Sequence, residues 1–512
     1  MMKNTFYTIL AMLWIILNPA RIYANTNPVW ILPIIVYPAD VNKILSEFGR
    51  GNTNVKMGFS IGFEYLGTEY LGNQFTYPEQ DHKTNLAHLE SMSAKSIETN
   101  MPFLVHFPGH RFSVADYIAT NKESMMYTYE GKAITELPEW NDPNQPMGAI
   151  PTYRIGSYLY SLNEYNTTYR NYKKRNLQAA TTYLANFAKL HPTLFAGVSL
   201  DSEISFCPAS FPGWKNYSYS FDYNPLTIVQ WRHWLSGNTG SYTNNAYLNP
   251  YANGAKYQNK GKNWTLNELK SRYNTNYTSW DYVIPPNITL DDTGKIKIIS
   301  GTQVQVDDWS QFKASLTNNM LRDMANWIVE TGIPQSQIYT HQLPILYELP
   351  ELNGYCGVPY ESAQVDGIGY GTTLYGSMTA SRDMFQRISN LNSNWGVFEW
   401  NPTDLSKSEN QSAIYVSNAL QLAYDFGADI ISPNYFVSSS PIFPGDPLEL
   451  NGNIGYIQGL KSFLNKNSTS QIPGDLNGDG KVNVYDFVKL LNGFNTIYTP
   501  DDFSILLANY GK

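Results

Sequence analysis

Leu194–Glu203 reads LFAGVSLDSE, an apolar run broken only by small residues that stops abruptly on Asp201, Ser202 and Glu203. A run this short and this apolar is a strand buried on both faces, the kind a parallel sheet covered by helices requires. Similar runs lie on either side of it. VWILPIIVY (29–37), VKMGFSIGFEYLG (55–67) and PFLVHF (102–107) precede it, and QIYTHQ (337–342), VDGIGYGTTLYG (365–376), WGVFEW (395–400) and ADIISPNYF (428–436) follow. Helical stretches separate them, such as ADVNKILSEFGRG, stopped by glycine, and the long RNYKKRNLQAATTYLANFAKLHP. Eight such strand–helix units predict an α/β protein built as a (β/α)8 barrel, with a doubly wound open sheet as the alternative.

The rest of the composition narrows the function classes. The 512 residues carry 35 Lys and Arg against 43 Asp and Glu, a net charge of −8, which argues against nucleic acid as the main partner. Aromatic residues reach 14% and charged residues only 15%, a balance suited to neutral polar ligands such as sugars, although aromatic rings also fill cores. At the N-terminus Lys3 precedes the apolar TILAMLWIIL, and small residues follow, with cleavage expected after Ala24. Residues 1–24 therefore read as a signal peptide, and the expected mature protein is secreted with no membrane span. The barrel is expected over 25–466, a polar linker over 467–473 and a separate module over 474–512.

That module opens with GDLNGDGKVNVYD (474–486). Asp475, Asn477 and Asp479 take positions 1, 3 and 5 of a twelve-residue loop, Gly480 makes the turn, Lys481 offers its carbonyl, and Asn483 and Asp486 complete it. Short oxygen-bearing side chains at this spacing fold round one Ca2+ ion. Because Asp stands at position 12 and a helix follows, the module resembles the type I dockerin family. YDFVKLLNGFN (485–495) recurs as DDFSILLANYG (501–511) without a second loop, so the resemblance implies one calcium site and a cohesin-type scaffold protein as partner. An intramolecular cap is the other reading of this tail.

Barrel chemistry sits at the C-terminal ends of the strands. The fourth strand ends in Glu203 and the seventh in Glu399, and paired carboxylates about 5 Å apart suit retaining glycoside hydrolysis. This layout resembles glycoside hydrolase clan A, and the resemblance implies that Glu203, protonated, donates to the leaving oxygen and that Glu399, ionised, attacks the anomeric carbon. IVQWRHWL (228–235) with TLNELKSRYNTNYTSWDYVIPP (265–286) resembles the segment after the acid/base of family 42 β-galactosidase-like enzymes. Ser202 stands where that clan has asparagine. The AGVSLDSE strand also bears a distant likeness to family 18 chitinases, which use substrate assistance.

By position, Asp201, Ser202, His106, His110, Arg111 and His341 could reach sugar hydroxyls, and Tyr370 or Tyr375 could hydrogen-bond Glu399. Trp400, Tyr435, Phe436 and Trp214 are candidate stacking faces. Cys207 and Cys356 follow strands four and five, neighbours in a barrel, which suggests a disulfide at the rim. A polysaccharide or oligosaccharide is thus the expected substrate of a secreted protein, free or attached at a cell surface or in a complex, with no cofactor for catalysis. A glycan-binding barrel without activity and a calcium-dependent scaffold component are the non-enzyme readings.

Overall fold

Pro33 has no N–H to give to a ladder, and the first apolar run accordingly splits into β1 (Val29–Ile31) and β2 (Ile34–Ile35). The computed structural model describes residues 28–35, 37–63, 79–107, 127–131, 167–200, 223–237, 262–290, 296–342, 363–374, 382–402, 407–434, 436, 453–468, 474, 476, 481–493 and 500–511. The second run is likewise interrupted, giving β3 (Val55–Met57) and β4 (Phe59–Gly62). β5 (Phe103–His106) and β6 (Phe195–Ser199) follow. An antiparallel hairpin, β7 (Asn287–Leu290) and β8 (Ile296–Ser300), stands apart. β9 (Ile338–Tyr339), β10 (Tyr370–Thr373), β11 (Trp395–Glu399) and β12 (Ile430–Ile431) complete the set.

Apart from the hairpin, every pairing between strands among the described residues is parallel, and the pairings form a ring. β12 pairs β1, β1 pairs β3, and one step along the same runs β2 pairs β4. β4, β5, β6 and β9 follow in order. Parallel bridges Tyr339 to Gly369 and Gln342 to Thr372 carry the ring on to β10, and β10, β11 and β12 close it. Eight parallel runs in sequence order around a closed ring leave no free edge, the arrangement expected from the eight apolar runs.

The helices lie between successive strands. α1 (Pro38–Phe48) follows β2 and ends at Gly49, whose φ of 68° only glycine adopts freely. α2 (Glu79–Thr99) and α3 (Thr167–Leu190) follow β4 and β5. Between β6 and β9 lie α4 (Pro225–Ser236), α5 (Leu266–Tyr273), the hairpin and α6 (Gln303–Val329). α7 (Arg382–Leu391), α8 (Glu409–Asp425) and α9 (Ile454–Lys466) complete the barrel, and α10 (Val484–Gly493) and α11 (Pro500–Asn509) form the tail. Thr265 caps α5 in a reciprocal box with Glu268, as T-x-x-E predicts. No helix among the described residues is long and apolar enough to cross a membrane.

Much of the aromatic excess goes into packing. Trp231 stacks on Trp234 (5.5 Å) and meets Trp309 edge-on (5.3 Å), while Tyr223 stacks on Trp309 (5.6 Å). These rings bind α4 to α6, a role of rings as core filler that the sequence left open against a sugar surface. In the tail, the residues aligned by the internal repeat meet one another. Phe487 contacts Phe503 at 5.8 Å, and Leu490 and Leu506 share a small core with Val482.

Asp308 at the start of α6 is fully buried and accepts from Arg272 Nε (2.9 Å), Arg272 Nη2 (3.0 Å) and Tyr273 Oη (3.1 Å). Removing Asp308 leaves the buried Tyr273 hydroxyl without its acceptor, while Arg272, 39% exposed, turns to water. Asp308→Ala is expected to lower unfolding free energy by about 1–3 kcal/mol in chemical denaturation. The Asp429 carboxyl, half-buried below β11, is pushed up to about 7 by burial, against the opposing pull of the Trp395 N–H. Its folded value lies above the unfolded one, so the folded state binds more protons and stability falls as pH rises from about 4 to about 7. Asp429→Asn is expected to raise Tm by about 2–4 °C at pH about 8 and to leave it unchanged near pH 4, read by thermal melts.

Candidate active site

Barrel interiors fill with apolar side chains in layers, and one layer here does so with Leu32, Leu104, Ala196, Tyr339, Phe398 and Ile430. The next layer toward the C-terminal ends of the strands is polar. It comprises Ser60, His106, Ser199, His341 and Ser432, all buried. Burying so many polar groups is tolerable only where they bond to one another.

They do so in a continuous chain. Ser432 Oγ and Ser60 Oγ lie 2.7 and 2.9 Å from the Leu32 carbonyl and 2.8 Å from each other. His106 Nε2 is 3.3 Å from Ser432 Oγ, and its Nδ1 is 2.8 Å from Ser199 Oγ. Ser199 Oγ is in turn 3.4 Å from His341 Nδ1. His341 Nε2 faces Glu399 Oε2 at 3.9 Å, where the chain meets the barrel mouth. Burial pushes His106 down to about 3, so its ring is neutral at ordinary pH, with one donor and one acceptor nitrogen.

Two β-bulges aim these groups inward. Along β6 the partners of Phe103 and Leu104 are Phe195 and Gly197, so one residue is skipped. Ala196 faces the interior and Val198 the helices, which returns Ser199 to the interior. Gly197 makes this possible, because its φ is 135° and an added Cβ would lie 2.4 Å from the Gln337 carbonyl. Along β11 the partners of Thr372 and Thr373 are Val397 and Glu399, skipping Phe398. Phe398 and Glu399 thus both reach the interior, Phe398 under the two histidines and Glu399 beside His341. Just beyond, Asn401 Nδ2 donates to the Asn434 carbonyl (3.0 Å) and Asn401 Oδ1 accepts from the Asn434 N–H (3.1 Å), tying the chain after β11 to that after β12.

Of the residues singled out by sequence, Glu399, His341 and His106 come together at this layer. His106 is 5% and His341 3% exposed, so both act within the barrel, whereas the Glu399 side chain keeps 19% exposure. His106 was expected to reach a sugar hydroxyl; both its nitrogens are instead engaged by serines. Tyr370 was expected to end its strand near Glu399, but it opens β10, pairing with Trp395, and lies buried among the residues between barrel and helices. Trp400 is fully buried edge-on to Phe385 (5.9 Å), and Phe436 packs on Phe48 (6.3 Å), so both rings fill the core and offer no stacking face. Glu203, Asp201, Ser202, His110, Arg111, Tyr375, Tyr435, Trp214, Cys207 and Cys356 lie outside the described residues. Ser60, Ser199 and Ser432 escaped the sequence reading; their signal is a hydroxyl inside an apolar strand, as in GFSIGF, GVSL and IISP.

In the tail, Asp475, Asn477 and Asp479 also lie outside the described residues. Asp486 is fully buried at the first turn of α10, and its Oδ2 accepts the Asn483 N–H at 2.8 Å. Lys481 and Asn483 precede it on the same segment, and the carboxylate, amide and carbonyl oxygens of the whole set are the hard donors that Ca2+ selects.

No protein-family model matches the chain, and none of the curated proteins does. Several solved structures resemble it, two of which follow. An exo-β-1,4-mannosidase, Op5Man5 of Opitutaceae bacterium strain TAV5, is 9% identical with a TM-score of 0.35, over 86% of this chain and 60% of its own length. The mannanase BCman of Bacillus subtilis is 9% identical with a TM-score of 0.34, over 85% of each chain.

Proposed function

We propose that the chain is a secreted retaining glycoside hydrolase of the clan A type, acting on O-glycosidic bonds of a polysaccharide or oligosaccharide. The observation that carries this reading is Glu399, a partly exposed carboxylate ending a buried barrel strand, with His341 Nε2 at 3.9 Å beside it. A charged group so placed has no packing role and is held where a ligand at the barrel mouth would meet it. Glu399 attacks the anomeric carbon while Glu203, protonated, gives its proton to the leaving oxygen. Water then opens the glycosyl ester, with Glu203 accepting a proton from it. Asp201, Ser202, His110 and Arg111 are assigned to the sugar hydroxyls, and a Cys207–Cys356 disulfide to the rim.

The same proposal divides the chain into a signal peptide (1–24), the catalytic barrel (25–466), a linker (467–473) and a dockerin-like module (474–512). In that module Asp475, Asn477, Asp479, Lys481, Asn483 and Asp486 hold one Ca2+, which orders the loop for attachment to a cohesin-type scaffold. The buried Asp486 carboxylate at the end of this loop supports the assignment.

Glu399→Gln is expected to lower kcat by about a thousandfold or more on whichever member of a glycan panel the wild type hydrolyses. Equal release by both proteins removes Glu399 as nucleophile, and glycan binding without release by either leaves a binding barrel. Calorimetric titration with Ca2+ is expected to find one site in the wild type and none in Asp475→Ala. An unchanged isotherm overturns the calcium loop.

A further inference from the structure

The Leu32 carbonyl is orphaned by the sequence of the neighbouring strand. In the parallel ladder the Leu32 N–H donates to the Ile431 carbonyl and the Ile34 N–H to the Pro433 carbonyl. The Leu32 carbonyl would take its own ladder bond from the N–H of residue 433, which is proline and has none. A buried carbonyl must find another donor. Here the hydroxyls of Ser432 (2.7 Å) and Ser60 (2.9 Å) supply it.

Counting protons then fixes the rest of the chain. Ser60 and Ser432 carry one hydroxyl proton each, shared between the Leu32 carbonyl, which has two lone pairs, and the 2.8 Å contact between the hydroxyls. Both can donate to the carbonyl, or one can donate to the carbonyl while the other donates to its neighbouring hydroxyl. In each case the Ser432 proton is used up, and His106 Nε2, 3.3 Å from Ser432 Oγ, must be the donor there. Neutral His106 then has a bare Nδ1, which takes the Ser199 proton across 2.8 Å. Ser199 Oγ is left to accept from His341 Nδ1–H. The remaining nitrogen of His341, Nε2, faces Glu399.

We propose that Pro433, acting through the Ser432 hydroxyl, sets the tautomer of His341, so that its Nε2 is the basic nitrogen toward Glu399 and the His341–Glu399 pair holds a single exchangeable proton. With that proton present, His341 is an imidazolium paired with an ionised Glu399; without it, a lone pair faces the carboxylate. Ser432, His106 and Ser199 are positioning residues that act through His341. Among the described residues the titratable groups facing His341 are Glu399 on β11, His106 on β5 (ring centroids 5.3 Å apart) and, on its own strand, Tyr339. The catalytic consequence rests on Glu399 being the nucleophile; the tautomers do not.

The test is long-range 1H–15N correlation of the full chain with 15N-labelled histidine, only seven of which occur, assigned by loss of signals in His341→Gln and His106→Gln. In the wild type His106 is expected as the neutral Nε2–H form throughout. His341 is expected as Nδ1–H when neutral and as imidazolium at lower pH. Ser60→Ala leaves Ser432 as sole donor to the carbonyl and is expected to change neither tautomer. Ser432→Ala frees the chain to reverse toward the carboxylate, and His341, which Ser432 does not touch, is expected to become Nε2–H. Ser199→Ala, which cuts the chain between the rings, is expected to give the same Nε2–H form should Ser432→Ala fail to fold. His341 found as Nε2–H in the wild type, or unchanged as Nδ1–H in the folded Ser432→Ala or Ser199→Ala variant, overturns the proposal. On a hydrolysed glycan, Ser432→Ala is expected to lower kcat about tenfold with KM unchanged. Tautomers as expected without hydrolysis by the wild type would remove the glycosidase reading and leave the relay, and the reverse outcome would remove the relay alone.

Discussion

One missing N–H organises the interior of this barrel. A closed parallel ring satisfies its backbone polar groups strand by strand and has no edge at which a carbonyl can turn to water. Pro433 breaks that accounting at the buried Leu32 carbonyl, which the hydroxyls of Ser432 and Ser60 then satisfy. Two serines converge on it from neighbouring strands, and once hydroxyls occupy that level the groups beside them must also be polar and paired. The layer from Ser60 to His341 follows from this local defect as much as from any requirement at the mouth.

Strand parity is the second constraint, and it is met by local irregularity. Alternation along β6 and β11 would turn Ser199 and Glu399 toward the helices, where a carboxylate would meet the apolar outer core. One skipped residue in each strand reverses this, and the β6 bulge depends on a glycine whose backbone approaches the Gln337 carbonyl too closely for any side chain. The bulges place Ser199 and Glu399 on the same side as His341 without altering the count of strands or the closure of the ring.

These two constraints explain what could be seen in the sequence and what could not. The eight runs were legible because burial on both faces leaves few polar positions, and the helices between them because their caps and glycine stops are local. Bulges are not local: whether Glu399 faces in or out depends on its register with Thr373, a residue on another strand. Tyr370 and Trp400 were misplaced for the same reason, since nearness to a strand end in sequence does not say which face a ring takes. The β7–β8 hairpin was passed over because NITL and KIKIIS are short and lie in a polar insertion. The aromatic excess suggested a sugar surface, yet Trp231, Trp234 and Trp309 use theirs to hold α4 on α6. Ser199 sat within the stretch that decides the fold, but a hydroxyl in an apolar strand does not reveal its partner until the strands are paired.

The chemistry of the polar layer also bears on where charge can reside. An arginine at the level of His106 would remain charged in a place closed to solvent, at a cost of several kcal/mol. Imidazole avoids this by staying neutral, and the low value imposed on His106 by burial is the expression of that preference. Serine hydroxyls likewise carry polarity without charge. Charge is therefore confined to the end of the chain, where Glu399 keeps part of its surface open and His341 stands between it and the sealed interior. Among the described residues, the group that meets this carboxylate from the barrel interior is the His341 imidazole, and the neutral groups beneath it add no charge of their own.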